Sequence, residues 1–252
     1  MSSTRSFLLF IVIGIFLFCF TAFAKAPSKT GKMEKPSDLQ PVFPDKAGCI
    51  EIASPYGSRI RFDGSLRPTF RFGGRHGGID LSLPEGTPLL ALAGGTVVNK
   101  GKGKQMEGIY LWVQHPPEET GLPYWVFSKY QHLQSLPELS IGAKVVVGQK
   151  IALSGKTGTT GGHYGYSGYP HLHLSTKKNQ HGEYHKKGSR IQVPDSYLID
   201  PLVIYHEASS KFKESVDTPS RKKTVTIPYM TTDGHIWPPG MRVVWPVVCQ
   251  PM

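Results

Sequence analysis

Residues 171–176 read His171-Leu172-His173-Leu174-Ser175-Thr176, with polar and apolar side chains alternating through Ser175. A period of two marks a half-buried β-strand, on which residues i and i+2 face the same side. Leu172 then turns into a core while both imidazoles turn into one cleft. A solvated strand face with two incidental histidines would give the same pattern. On either side, short strand-like runs alternate with Gly or Pro turns: Ile79–Leu83, Pro88–Leu92, Thr96–Asn99, Ile109–Gln114, Tyr124–His132, Lys144–Val147, Lys150–Ser154 and Arg190–Val193. With Gly 28 and Pro 21 and no long stretch of helical periodicity, the chain is expected to be all-β: an antiparallel β-sheet domain with long loops.

The flanks divide the chain. Residues 1–24 carry Arg5, an apolar run from Phe7 to Phe20 and the small-x-small triplet Ala22-Phe23-Ala24, the pattern of a cleavable signal peptide. That run falls short of the ~20 apolar residues a spanning helix needs; an uncleaved anchor is the alternative. Phe18 stands where a lipoprotein signal wants a small residue, which argues against lipidation of Cys19. Residues 25–47, with Pro27, Pro36, Pro41 and Pro44 and no apolar period, are expected to be a linker. The domain is placed at 48–206 and a C-terminal extension at 207–252, polar as far as residue 223. Beyond that come the strand-like runs Thr224–Ile227 and Met241–Val244, with Trp237 and Trp245 among prolines. This tail is expected to pack on the domain, with sugar stacking by Trp as the alternative.

Removing the leader leaves Cys49 and Cys249, which in an oxidising compartment could form a disulfide or remain two buried thiols. Net charge is +11 for the whole chain, and the leader takes away only Arg5. The positive excess suits an anionic envelope polymer. No basic-aromatic nucleic-acid motif is present, and export argues against a nucleic-acid partner. Membrane contact is expected only through the leader.

The ten histidines matter by position. His76 and Asp80 flank Gly77-Gly78-Ile79, so they are expected to lead from a turn into a strand; alone, this spacing is weak metal-site evidence. His132 ends a strand in Tyr130-Gln131-His132-Leu133, where a lone His would more often be structural. His115, His181, His185, His206 and His235 are expected at the surface, with His181 and His185 in a solvated Lys-rich turn between Lys177 and Arg190. There is no H-E-x-x-H helix, C-x-x-C pair, G-x-S-x-G elbow or phosphate-binding glycine loop.

Together these elements resemble the LytM/lysostaphin-type zinc metallopeptidases from about Ile52 to Ile204. The resemblance runs in order through Ser54-Pro55-Tyr56-Gly57-Ser58-Arg59, His76-Gly77-Gly78-Ile79-Asp80-Leu81, Pro84-Glu85-Gly86-Thr87-Pro88 and Ala91-Leu92-Ala93-Gly94-Gly95-Thr96-Val97-Val98. It continues with Tyr130-Gln131-His132-Leu133, Val147-Gly148-Gln149-Lys150-Ile151-Ala152, Ser154-Gly155-Lys156-Thr157-Gly158, Pro170-His171-Leu172-His173 and Asp200-Pro201. It implies a duplicated-hybrid-motif type of sheet with one zinc ion on His76, Asp80 and His173. His132 and His171 would then be the catalytic pair.

Two departures stand out. The loop from Thr159 to Pro170 is longer than the family's usual glycine turn, and Tyr164, Tyr166 and Tyr169 on it are candidate substrate contacts; His163 is either a contact or surface. Ser175 replaces the Glu that often follows the HxH motif. The resemblance implies an exported endopeptidase, periplasmic or extracellular, acting on peptide cross-links of peptidoglycan, with D-alanyl-diaminopimelate bonds as the expected cut. Glycine-rich bridges or proteins are the alternative substrate. A non-catalytic wall binder or amidase activator is the alternative class, and a wall-anchored structural module is the third.

Overall fold

The computed structural model describes residues 32–44, 47–104, 106–159, 169–187, 190–209 and 223–251. The leader 1–24 lies outside the described residues, as do His163, Tyr164 and Tyr166. Among the described residues the main sheet has eight strands: β1 (Lys32–Met33), β2 (Ile79–Ser82), β3 (Gly95–Lys102), β4 (Ile109–His115), β5 (Trp125–Leu133), β6 (Lys144–Val145), β7 (His171–Asn179) and β8 (Tyr197–Ile199). Their order is β1-β8-β7-β5-β4-β3-β6. β2 pairs with the first half of β7 and β8 with the second half. Pairing is antiparallel except between β1 and β8, which run parallel.

Period-two alternation along β7 buries Leu172 and Leu174 on one face and leaves His171 and His173 for the other. The buried face is completed by Ile79, Leu81, Leu111, Val113, Tyr130 and Leu133, none with exposed surface. Each such aliphatic side chain contributes about 1.5–3 kcal/mol by leaving water. The opposite face is thus fixed in position by the core behind it. Beyond β8, Pro201–Ser209 forms a helix whose first turn explains the Asp200-Pro201 pair: Asp200 Oδ1 accepts the Leu202 N–H, and Pro201 needs no partner there.

Several expectations are corrected. The stretch read as a linker is, over its described part, a packed strap. β1 lies on β8, Leu39–Val42 pairs in parallel with Lys223–Thr226, and Leu39 and Ala47 are buried. Its prolines suit an edge, where missing N–H donors cost nothing. The tail closes the same region. Gln250–Pro251 pairs with Ala47–Gly48, and a disulfide joins Cys49 to Cys249 with Cα atoms 4.4 Å apart. Trp245 is buried, its Nε1–H bonded to the Ile50 carbonyl at 2.9 Å, whereas Trp237 is half exposed. Met241–Val244 packs without forming a strand. His115 is not at the surface: it is fully buried between the Gly94 carbonyl and the Ser128 hydroxyl, and burial pushes its pKa down to about 4. The Lys-rich turn begins later than expected, because β7 runs on to Asn179 and His185–Lys187 forms a hairpin with Arg190–Gln192.

Candidate active site

On the face of the sheet away from the core, His173 sits between Asp80 of β2 and Gln131 of β5. His76 enters from the turn before β2. The turn can close on β7 because Gly78 lacks a side chain: a Cβ there would lie 2.3 Å from the Leu174 carbonyl oxygen. Close backbone approach is therefore the use of this glycine. The result is a triangle of donor atoms. His173 Nδ1 is 2.7 Å from Asp80 Oδ1, His76 Nε2 is 3.1 Å from the same oxygen, and the two nitrogens are 3.0 Å apart.

His132 reaches this face through a bulge. Tyr130 and Leu133 both point into the core, although simple alternation would separate them. The β4–β5 register slips between Ile109 and Leu111, so β5 carries one extra residue. His132 takes up the slack with φ +63°, and both Gln131 and His132 then line the cleft. The His132 and His171 rings lie 4.5 Å apart between centroids.

Backbone carbonyls settle the tautomers. His132 Nδ1–H donates to Thr157 O at 2.7 Å, His171 Nδ1–H to Tyr169 O at 2.9 Å, and His76 Nδ1–H to Pro55 O at 3.0 Å. A carbonyl only accepts, so each Nδ1 carries a proton, and in the neutral rings of His132 and His171 Nε2 keeps its lone pair. Burial lowers the pKa of His132, strongly, and of His171, so both are neutral near pH 7. Burial alone would raise the Asp80 carboxyl, but His76 and His173 hold it well below the usual range. Arg67 Nη2 donates to Ser54 Oγ at 2.7 Å and lies 3.4 Å from Asp80 Oδ2, which leaves Oδ1 for the triangle.

Two imidazole nitrogens and one carboxylate oxygen are the donor set of an open zinc site. Ligand atoms at bond lengths of about 2.0–2.1 Å in a tetrahedron stand roughly 3.3 Å apart, so the triangle needs only a slight opening to fit the ion. Carbonyl and guanidinium partners behind the donors orient them as outer-sphere groups do at metal sites. Among the described residues, these three form the group able to hold a metal ion.

The cleft measures about 250 Å³ and is lined in part by Arg61, Phe62, Arg67, Phe72 and Tyr169. Tyr169 stacks on the His171 ring at 4.9 Å and on Phe62 at 3.7 Å. Trp112, Lys129 and Lys177 line its far end. Sequence reading missed Arg67, which sits in a loop with no pattern to mark it. Lys177 could have been found by continuing the count of two from His173.

Residues 74–185 match the model of peptidase family M23, and this span holds His76, Asp80, His132, His171 and His173. An uncharacterised metalloprotease of Buchnera aphidicola is 37% identical over 105 residues, 41% of this chain and 26% of its own length. The peptidoglycan DD-endopeptidase ShyA of Vibrio cholerae is 34% identical over 108 residues, 43% of this chain and 21% of its own length. The chain thus spans about a quarter or less of these two relatives. The catalytic domain of the antimicrobial peptidase lysostaphin from Staphylococcus simulans is 26% identical, with a TM-score of 0.39 over 57% of this chain and 87% of that one. The segment that brings all five side chains into one cleft belongs to peptidase family M23.

Proposed function

We propose that the protein is an exported zinc endopeptidase that hydrolyses peptide cross-links of peptidoglycan in the periplasm or outside the cell. The observation that carries this reading is the meeting of His76 Nε2, Asp80 Oδ1 and His173 Nδ1 within 3.1 Å beside two imidazoles of fixed tautomer. The signal-like leader supports export, and the name of the Vibrio relative supports the substrate.

His76, Asp80 and His173 would hold the ion. Zinc there would supply Lewis acidity, lowering the pKa of a water to about 7 and polarising a carbonyl. The chain's own residues do the rest. His132 and His171 each point a basic Nε2 at the same region, so one can take the proton of the attacking water and return it to the leaving amine. Once protonated, an imidazole donates a hydrogen bond to the developing oxyanion. Thr157 O and Tyr169 O hold the two rings in place.

The purified mature chain is expected to bind about one zinc and to clear peptidoglycan in a gel, with clearing lost on chelation and restored by zinc. Bound zinc without any bond cleavage would favour the non-catalytic binder instead. Mass spectrometry of fragments released from defined muropeptides tells D-alanyl cross-links from glycine bridges.

A further inference from the structure

The far end of the cleft carries charge that the catalytic residues do not use. Trp112, Lys129 and Ser175 sit opposite one another on β4, β5 and β7, one row from Gln131 and His173. Lys177 follows on the same face of β7. Lys129 Nζ lies 5.4 Å from the Trp112 ring centre, and Lys177 Nζ lies 5.7 Å from it on the same indole. Lys129 is buried and ion-paired with Glu107. Lys177 is half buried and has no carboxylate partner among the described residues. Exposed Arg71 also lines this end, so among the described residues three cations gather here and Glu107 pairs with Lys129 alone. Taking ammonium groups partly out of water costs free energy that an unmatched pair does not recover. An anion in the cleft would supply the missing partner.

We infer that Lys177, with Lys129 and Trp112 beside it, forms a carboxylate-binding subsite that selects acidic peptides for this cleft. Rows along a strand repeat every two residues, or about 6.7 Å, so the subsite meets a substrate carboxylate roughly two to four residues from the reacting bond. The indole floor favours the cations and the apolar stem of the bound residue, and the two ammonium groups fix its carboxylate. The inference rests on the peptidase reading only for the ligand being a peptide.

The test is equilibrium binding of zinc-loaded full mature protein to a soluble stem peptide, L-alanyl-D-glutamyl-diaminopimelyl-D-alanine. Its comparison is the same peptide with its carboxylates amidated, both at constant salt. The free-acid peptide is expected to bind on the order of ten- to hundredfold tighter, the scale of one charge-assisted hydrogen bond in a half-buried site. Lys177→Met keeps the stem and should shrink that ratio to about twofold without changing zinc content, whereas Lys177→Arg should keep it. Equal binding of the two peptides by the wild type, or an unchanged ratio in Lys177→Met, overturns the subsite. A preserved ratio in a protein that leaves cross-linked muropeptide uncut would count against the peptidase reading and leave the subsite standing.

Discussion

Replacing His132 separates chemistry from folding. Its φ of +63° lies in the left-handed region, which costs a non-glycine residue roughly 1–2 kcal/mol. Glycine meets no steric penalty there and gives back only about 0.5–1 kcal/mol in chain entropy, so His132→Gly releases most of that strain. The same change deletes the Nδ1–H bond to Thr157 O, worth about 1 kcal/mol net. The two terms nearly cancel, so stability should stay within about 1 kcal/mol of wild type, a shift in Tm of roughly 2–4 °C for a chain of this size. Asn, which tolerates the left-handed region better than most residues, should behave alike. Activity should respond quite differently, because a lost general acid–base costs about 10²–10⁴-fold in rate. The assay is release of a defined fragment from purified muropeptide, read beside the thermal midpoint and zinc content. Cleavage within tenfold of wild type would refute the proton-transfer role. Loss of zinc would show His132 to be a ligand, and a large drop in Tm would show the bulge to depend on the imidazole.

Other consequences follow from the same contacts. Gly78→Ala forces a Cβ against the Leu174 carbonyl and should cost at least about 1–3 kcal/mol in a urea titration while weakening zinc retention. Replacing both Cys49 and Cys249 by Ala opens a link between residues 200 apart and should lower stability by about 2–5 kcal/mol without altering zinc content. Burial lowers the Lys129 pKa to about 8, against the attraction of Glu107 and with repulsion from Arg71 and Lys177. Because the folded value is below that of the unfolded chain, the unfolded state binds more protons between about pH 8 and 10.4, and this group's contribution to stability rises with pH across that window. The difference in unfolding free energy between wild type and Lys129→Met should therefore shift toward wild type over the same range; a flat difference would contradict it.

The sequence makes the sheet and most of the site readable for one reason: period-two patterning carries information about faces. His171 and His173 share a face because Leu172 must be buried between them, and Gly77-Gly78 disfavours a helix around His76. Patterning fails where geometry departs from the period. His132 falls on the core side of a regular strand, and only the bulge at β4–β5, invisible in composition, brings it to the cleft. The packed strap of 32–44 escaped notice because one buried leucine among prolines gives no alternation. The burial of His115 is not legible in the sequence because it depends on two partners remote along the chain, Gly94 and Ser128. Arg67 is hidden for the same reason, since its link to Asp80 exists only once the loop folds over β2.

The most direct measurement is zinc K-edge X-ray absorption on the purified mature chain, with metal content determined on the same sample. The account predicts close to one zinc per chain and a first shell of nitrogen and oxygen at about 2.0–2.1 Å that includes two imidazoles. It also predicts that the zinc is lost in an Asp80→Ala, His173→Ala double variant that still folds. A sulfur shell near 2.3 Å, or a full zinc equivalent retained by that variant, would contradict it.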